Sequence, residues 1–211
     1  MSTPQRPADA DARRWELTAQ RYRGGRFMDP LLAEQFRRVH RELVQRWWRG
    51  SPNARVLKTD AFAEATCPAR AFSWDLCPAE RLVCAEIAPG LALAAHQNAA
   101  ALGHGAAAYV VGDVRVLPFA DGSFDLVVSD STLDHFESSG EIGVALRELA
   151  RVLKPGGTLI ITLDNPSNLG EPPFRLWLRL GRGPYFIGRT LSQRRLCRGL
   201  RECGLQVTAS S

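Results

Sequence analysis

Between residues 29 and 48 apolar side chains return every three or four positions, and from residue 55 onward the pattern changes to short apolar runs separated by helical stretches. In the first region Leu32, Phe36, Val39, Leu43 and Trp47 fall on one face and Pro30 follows Asp29 in a helix-opening position, which predicts an amphipathic helix over 29–48. Beyond it, strands are predicted at 55–59, 81–87, 107–112, 124–129 and 157–163. Helices are predicted at 90–102, 139–153 and 191–203, the last opening near Ser192 and closing at Gly204. Such alternation marks βαβ units, so an α/β fold is expected, with a mostly parallel sheet and helices on both faces. Residues 51–211 are read as that domain and residues 1–50 as a helical extension and lid, whose first ten residues, polar and with two prolines, are expected to be disordered.

Composition narrows the class. A chain of 211 residues with 45% hydrophobic content can bury one sizeable core. Its net charge of +5 suggests nucleic acid until it is divided along the chain: residues 1–50 carry +5, residues 51–170 carry −6 and residues 171–211 carry +6. Basic flanks around an acidic centre suit an anionic substrate or a membrane surface, while solvated arginine-rich helix faces are the ordinary explanation. The five cysteines, Cys67, Cys77, Cys84, Cys197 and Cys203, form no C-x-x-C pair and are read as reduced thiols, with neither a disulfide framework nor a metal site. No apolar run of about 18 residues occurs and no signal-like stretch follows the N-terminal basic residues, so a cytoplasmic chain without stable membrane insertion is expected.

In an open parallel sheet, ligands lie at the carboxyl ends of the strands, so the residues closing each strand matter most. The second strand, RLVCAEI, ends in Glu86 and Ile87, and a carboxylate there can accept both hydroxyls of a ribose. The third ends in Asp113-Val114, where an acid and a neighbouring N–H can read the amino edge of an adenine, with Val114 and Leu117 flanking the ring. Asp121-Gly122 and Pro155-Gly156-Gly157 are tight turns into the fourth and fifth strands. The string GDVRVLPFADGSFDLVVS, followed about twenty residues later by LRELARVLKPGGTLIIT, closely resembles the second half of class I methyltransferases of the small-molecule type, the group that includes ubiquinone and menaquinone methyltransferases. The resemblance covers about residues 53–165 and implies a Rossmann-like, doubly wound fold and the cofactor S-adenosyl-L-methionine. It also implies that Glu86 binds the ribose and Asp113 with Val114 the adenine, while Ser129 and Asp130, closing the fourth strand, face the methionine part or the methyl acceptor.

The family's first motif is a glycine-rich turn after the first strand, commonly an acid followed by three glycines at alternate positions. Here ARVLKTDAFAEAT puts Lys58 where the acid is usual and Asp60, Phe62 and Glu64 where the glycines are usual. Glycine serves there because it permits positive φ and close approach of the backbone to the ligand. Two outcomes follow: either the loop takes another path and Asp60 or Glu64 contacts the methionine ammonium, or binding is lost and the chain is a catalytically inactive methyltransferase-like binding or scaffold protein. A second departure is the C-terminus. LQVTASS provides one short strand where the full fold has a hairpin, so an incomplete hairpin is expected, with an exposed sheet edge that favours homo-oligomers.

Methyl transfer needs alignment, exclusion of water and sometimes a base. His135, in STLDHF, is the base candidate, with Asp134 beside it, against the alternative of an ordinary hydrogen-bonded loop histidine; His40, His96 and His104 receive no role. Asp164-Asn165-Pro166 follows the fifth strand rather than the fourth and lacks the closing aromatic of base-methylating enzymes, so nucleic acid is not expected as a substrate. The segment 172–190 mixes Phe174, Trp177, Tyr185 and Phe186 with Arg175, Arg179, Arg182 and Arg189. It reads either as an amphipathic lid over an apolar or anionic small-molecule acceptor or as core packing. A dehydrogenase is unlike this chain because the first strand is not followed by G-x-G-x-x-G.

Overall fold

A computed structural model describes residues 8–22, 29–164 and 186–210. Five strands, β1 (Val56–Lys58), β2 (Leu82–Glu86), β3 (Ala108–Val111), β4 (Phe124–Asp130) and β5 (Leu153–Thr162), form one sheet in the order β3-β2-β1-β4-β5. Every pairing in it is parallel. The chain winds outward from β1 to β3, then returns to the other side of β1 to lay down β4. The strand order therefore reverses between β1 and β4, the switch point where such sheets open a crevice.

The helices are α1 (Ala8–Tyr22), α2 (Pro30–Trp47), α3 (Phe62–Thr66), α4 (Pro89–Ala101), α5 (Ser139–Val152) and α6 (Gln193–Glu202). Alternate residues of the central strands enter two cores, one on each face. Leu57, Val83, Ala85 and Val127 pack with Ile142, Ala145, Leu146 and Leu149 of α5, and α6 adds Leu196 and Leu200. On the other face Val56, Leu82, Cys84, Leu126 and Val128 pack with Ala95 and Ala99 of α4, Val44 of α2, and Phe72 and Trp74. Burial on both faces is why these strands read as unbroken apolar runs. The ends of α2 and α5 are set locally. Asp29 accepts the N–H of Leu31 ahead of Pro30, and Ser138 and Glu141 form a capping box.

Three expectations need correction. Residues 8–10 are not disordered but open α1, a helix with Asp9 and Asp11 in its first turn and Arg21 in its last, the charge order that the helix dipole favours; residues 1–7 lie outside the described residues. The fifth strand begins at Leu153, and Lys154–Gly157 form an irregularity inside it rather than a turn before it. Phe124 pairs with Leu153 and Leu126 with Thr158, and Gly156 takes the positive φ (+76°) that this detour requires. Residues 205–210 form no strand: no neighbouring strand is available beyond β5 among the described residues, and Leu205 instead packs against the α5 core. Among the described residues no helix is long and apolar enough to cross a membrane.

Candidate functional site

The carboxyl ends of β1, β2, β3 and β4 open into one cleft. Asp60, Glu86, Ile87, Asp113, Val114, Asp130, Asp134 and His135, all singled out from the sequence, line it together. Glu64 and Ser129 do not. Both are fully buried away from the cleft wall, and the Ser129 hydroxyl has no hydrogen-bond partner among the described residues.

The loop after β1 shows why glycines are dispensable for its path. Ala61 lies at φ −131°, and the one non-glycine residue with positive φ among the described residues is Ser131 (φ 49°), at the end of β4. The chain therefore turns into α3 with conformations open to any residue. The side chains at the motif positions pair with one another. Lys58, 1% exposed, directs its ammonium to Oδ1 of Asp60 (2.9 Å), the carbonyl of Asp60 (3.0 Å) and Oε2 of Glu64 (3.2 Å). The hydroxyl of Ser73 donates to the other Glu64 oxygen. Burial opposes the Lys58 charge, but Asp60 and Glu64 outweigh it and hold the ammonium well above the usual lysine range. Of the two acids expected at a ligand, Asp60 lines the cleft, while Glu64 is buried as the counter-ion of Lys58.

Glu86 accepts the N–H of Ala61 on Oε2 and of Ala88 on Oε1, both at 2.9 Å. Burial nonetheless pushes its carboxyl up to about 7, against these two amides. Asp113 is clamped by Arg115, whose Nε and Nη2 donate to it at 2.6–3.0 Å. The same guanidinium reaches Asp11 of α1 (2.8 Å) and Glu141 of α5 (2.7 Å), tying three elements to the rim.

At the end of β4, Asp130 pairs with His40 of α2, Nε2 to Oδ1 at 3.2 Å, while His40 Nδ1 donates to the carbonyl of Phe36 at 2.8 Å. Both ring nitrogens therefore donate, as an imidazolium does. Burial works against the charge on each partner, yet their mutual pairing raises the His40 pKa and depresses that of Asp130. His40, given no role from the sequence, thus docks α2 onto the cleft wall. A raised histidine pKa contributes stability that is complete below its unfolded value of 6.5 and lost as pH rises through the raised folded value. The melting temperature of the protein should therefore fall more between pH 6 and pH 9 than that of His40→Gln; parallel curves would remove the pair from the account.

His135 donates from Nδ1 to the carbonyl of Phe186 (2.6 Å), since a carbonyl can only accept, which leaves Nε2 as the basic nitrogen. Burial lowers its pKa to about 4, so the ring is neutral at pH 7. Trp15 packs edge-on against it at 4.6 Å. Asp134 accepts the N–H of Asp164 at 3.0 Å. The chain at Gly188–Arg189 donates to the carbonyls of Asp134 and Phe136, a close approach in which a Cβ on Gly188 would collide with Phe136. The predicted lid segment 172–190 otherwise lies mostly outside the described residues.

Sequence reasoning read residues 1–50 as a lid but picked out none of the residues through which α1 lines the cleft, Asp11, Arg14 and Trp15, and it passed over Arg70. The periodicity of residues 8–22 was available as a signal for α1, whereas Arg70 sits on a short turn that no pattern marks. With α1 in place the interior space is about 150 Å³, below the roughly 300–1,000 Å³ usual for a ligand pocket.

Residues 64–161 match the family model described as a methyltransferase domain. Over that stretch, just under half of its length, the chain is similar to methyltransferase domains. The match, together with the parallel sheet, supports S-adenosyl-L-methionine as the cofactor. Among similar proteins, a malonyl-[acyl-carrier protein] O-methyltransferase of Erwinia pyrifoliae is 39% identical over 74 residues, 35% of this chain and 27% of that protein. A demethylmenaquinone methyltransferase of Renibacterium salmoninarum is 40% identical over 67 residues, 32% of this chain and 26% of that protein. The chain thus matches less than a third of the length of these relatives. The crystal structure of the YcgJ protein from Bacillus subtilis shares the fold, with a TM-score of 0.62 at 22% identity, covering 80% of this chain and 67% of that one.

The cleft residues fit such a cofactor in chemistry. They present carboxylates at the ends of β2 and β3, and Oδ2 of Asp60 is buried with no hydrogen-bond partner among the described residues. A ligand bearing ribose hydroxyls, an amino-purine and an ammonium supplies donors for acceptors of this kind.

Proposed function

We propose that this chain transfers the methyl group of S-adenosylmethionine to a small-molecule acceptor bound in the cleft. The orphaned oxygen of Asp60, a residue that lines the same cleft as Glu86 and Asp113, carries the reading: a buried unpartnered carboxylate oxygen is costly unless a ligand uses it. Glu86 takes the ribose hydroxyls with lone pairs that the two amides leave free. Asp113 takes the adenine amino group, with Ile87 and Val114 against the ring, and Asp60 takes the ammonium. Asp130, kept ionised by His40, lies on the methionine and acceptor side. Glu64 and Ser129 act from behind the cleft wall, Glu64 by holding Lys58 and through it Asp60.

The cofactor supplies an electrophilic methyl carbon, and the protein's part is alignment and the exclusion of water. His135 Nε2 is the nitrogen assigned to the acceptor's proton where one must leave; burial keeps the ring neutral at pH 7 but also makes it a weak base, so it serves an acceptor that is itself readily deprotonated. Asp134 positions it by fixing the loop to Asp164. We assign residues 1–50 as the lid. Asp11 holds Arg115, Glu16 accepts the N–H of Gly90 at 3.0 Å and Arg14 pairs with Glu137 at 2.9 Å, so entry requires α1 to lift. The similar proteins are named for malonyl-acyl-carrier protein and for demethylmenaquinone, and an apolar acceptor is the class that walls of Trp15, Phe62 and Phe136 suit.

Calorimetric titration with S-adenosylmethionine and S-adenosylhomocysteine tests this reading. Micromolar binding is expected, abolished in Glu86→Ala. No heat up to millimolar ligand, from protein shown to be folded, would leave the inactive binding or scaffold protein as the account of this chain.

A further inference from the structure

The charges around the cleft are nearly all spoken for. Lys58 is matched by Asp60 and Glu64, Arg115 by Asp11, Asp113 and Glu141, Arg14 by Glu137, and His40 by Asp130. Arg70 is the exception. Its side chain lines the cleft, and no carboxylate among the described residues stands within ion-pair distance of it. It is nevertheless held in place: its guanidinium lies 4.9 Å over the ring of Phe36, which stacks in turn on His40 at 5.8 Å. Its backbone is fixed in the turn Pro68–Arg70, with the Arg70 N–H donating to the carbonyl of Cys67 at 2.8 Å. An aromatic face orients a guanidinium without neutralising it.

The neighbouring loop explains what such a cation is for. A glycine turn after the first strand offers backbone N–H groups to an anionic ligand end. Here those donors are occupied, because the N–H of Ala61 goes to Glu86 and the N–H of Phe62 to Oδ1 of Asp60 (3.2 Å). An α-amino acid end carries an ammonium and a carboxylate on one carbon, and the cleft is lined both by Asp60, with an unpartnered carboxylate oxygen, and by Arg70, whose guanidinium has no carboxylate within ion-pair distance among the described residues.

We propose that Arg70 binds the carboxylate of the methionine end of the cofactor, forming with Asp60 a side-chain clamp for the zwitterion in place of the missing glycine turn. The inference rests on the cofactor site proposed above. It assigns to the turn after α3 a binding residue that the glycine-rich motif does not contain, and it makes affinity depend on a carboxylate rather than on the nucleoside alone.

The test is calorimetric titration of the wild-type chain, Arg70→Gln and Arg70→Lys with S-adenosylmethionine, decarboxylated S-adenosylmethionine and methylthioadenosine, with thermal melts as the folding control. The wild-type chain is expected to bind S-adenosylmethionine about tenfold or more tighter than the decarboxylated compound, as a charge-assisted pair provides. Arg70→Gln should erase that preference while leaving methylthioadenosine binding and the melting temperature unchanged, and Arg70→Lys should restore part of it. Equal wild-type affinity for the two sulfonium compounds, or an equal loss for both in Arg70→Gln, overturns the role of Arg70 while the nucleoside site stands. If folded wild-type protein binds none of the three, the cofactor reading falls and the clamp with it.

Discussion

Lys58→Met is expected to cost about 3–5 kcal/mol, the usual penalty for stranding a buried charge. The reason is local. Glu64 is fully buried and its Oε2 depends on the Lys58 ammonium, so removing that cation leaves a carboxylate with only the Ser73 hydroxyl on its other oxygen. For a chain of this size such a loss lowers the melting temperature by roughly 10 °C. The double variant Lys58→Met/Glu64→Met should recover a large part of that loss, because a well-packed apolar pair can replace a buried ion pair at little cost. Thermal unfolding of the four proteins in a double-mutant cycle gives the coupling directly. A single-variant shift below about 2 °C, or a double variant no better than the single, would show that Lys58 and Glu64 do not act as a pair.

The second large effect is on ligand affinity. Burial pushes the Glu86 carboxyl to about 7, and the ionised form is the one that can accept two ribose hydroxyls while still accepting the N–H groups of Ala61 and Ala88. Affinity for S-adenosylmethionine should therefore fall about tenfold for each pH unit below 7 and level off above it. In the ligand-free protein the sign is opposite. A carboxyl whose folded pKa is raised from 4.5 to about 7 lends stability that is complete below 4.5 and is lost as pH climbs to 7, so the protein gives up stability at the pH where it binds best. Titrations between pH 5.5 and 8.5 decide the matter, and a flat profile in the wild-type protein would refute the assignment of Glu86 to the ribose.

The strands, the helices α2, α4, α5 and α6, and the strand-end acids were legible because each depends on residues near one another in sequence. Periodicity marks α2 and α5, unbroken apolar runs mark strands buried on both faces, and Glu86 and Asp113 follow from standing at the ends of β2 and β3. The absence of glycines after β1 was equally plain, and so was the alternative that the loop takes another path.

Pairings across sequence distance were not legible. That Glu64 would turn inward to Lys58 rather than outward to a ligand depends on how α3 sits against Ser73 and β2, and local spacing is compatible with either direction. The bond between His40 and Asp130 joins residues ninety positions apart, and α1 reaches the cleft through Asp11 and Arg115, which are 104 positions apart. A charge read from a sequence has no partner until the fold supplies one. The chain itself determined a parallel α/β sheet with acids at its carboxyl edge; the tertiary structure alone decided which charges neutralise each other and which cleft-lining groups, Asp60 Oδ2 and the Arg70 guanidinium, are left without an ionic partner among the described residues, because pairing depends on distance in space and burial.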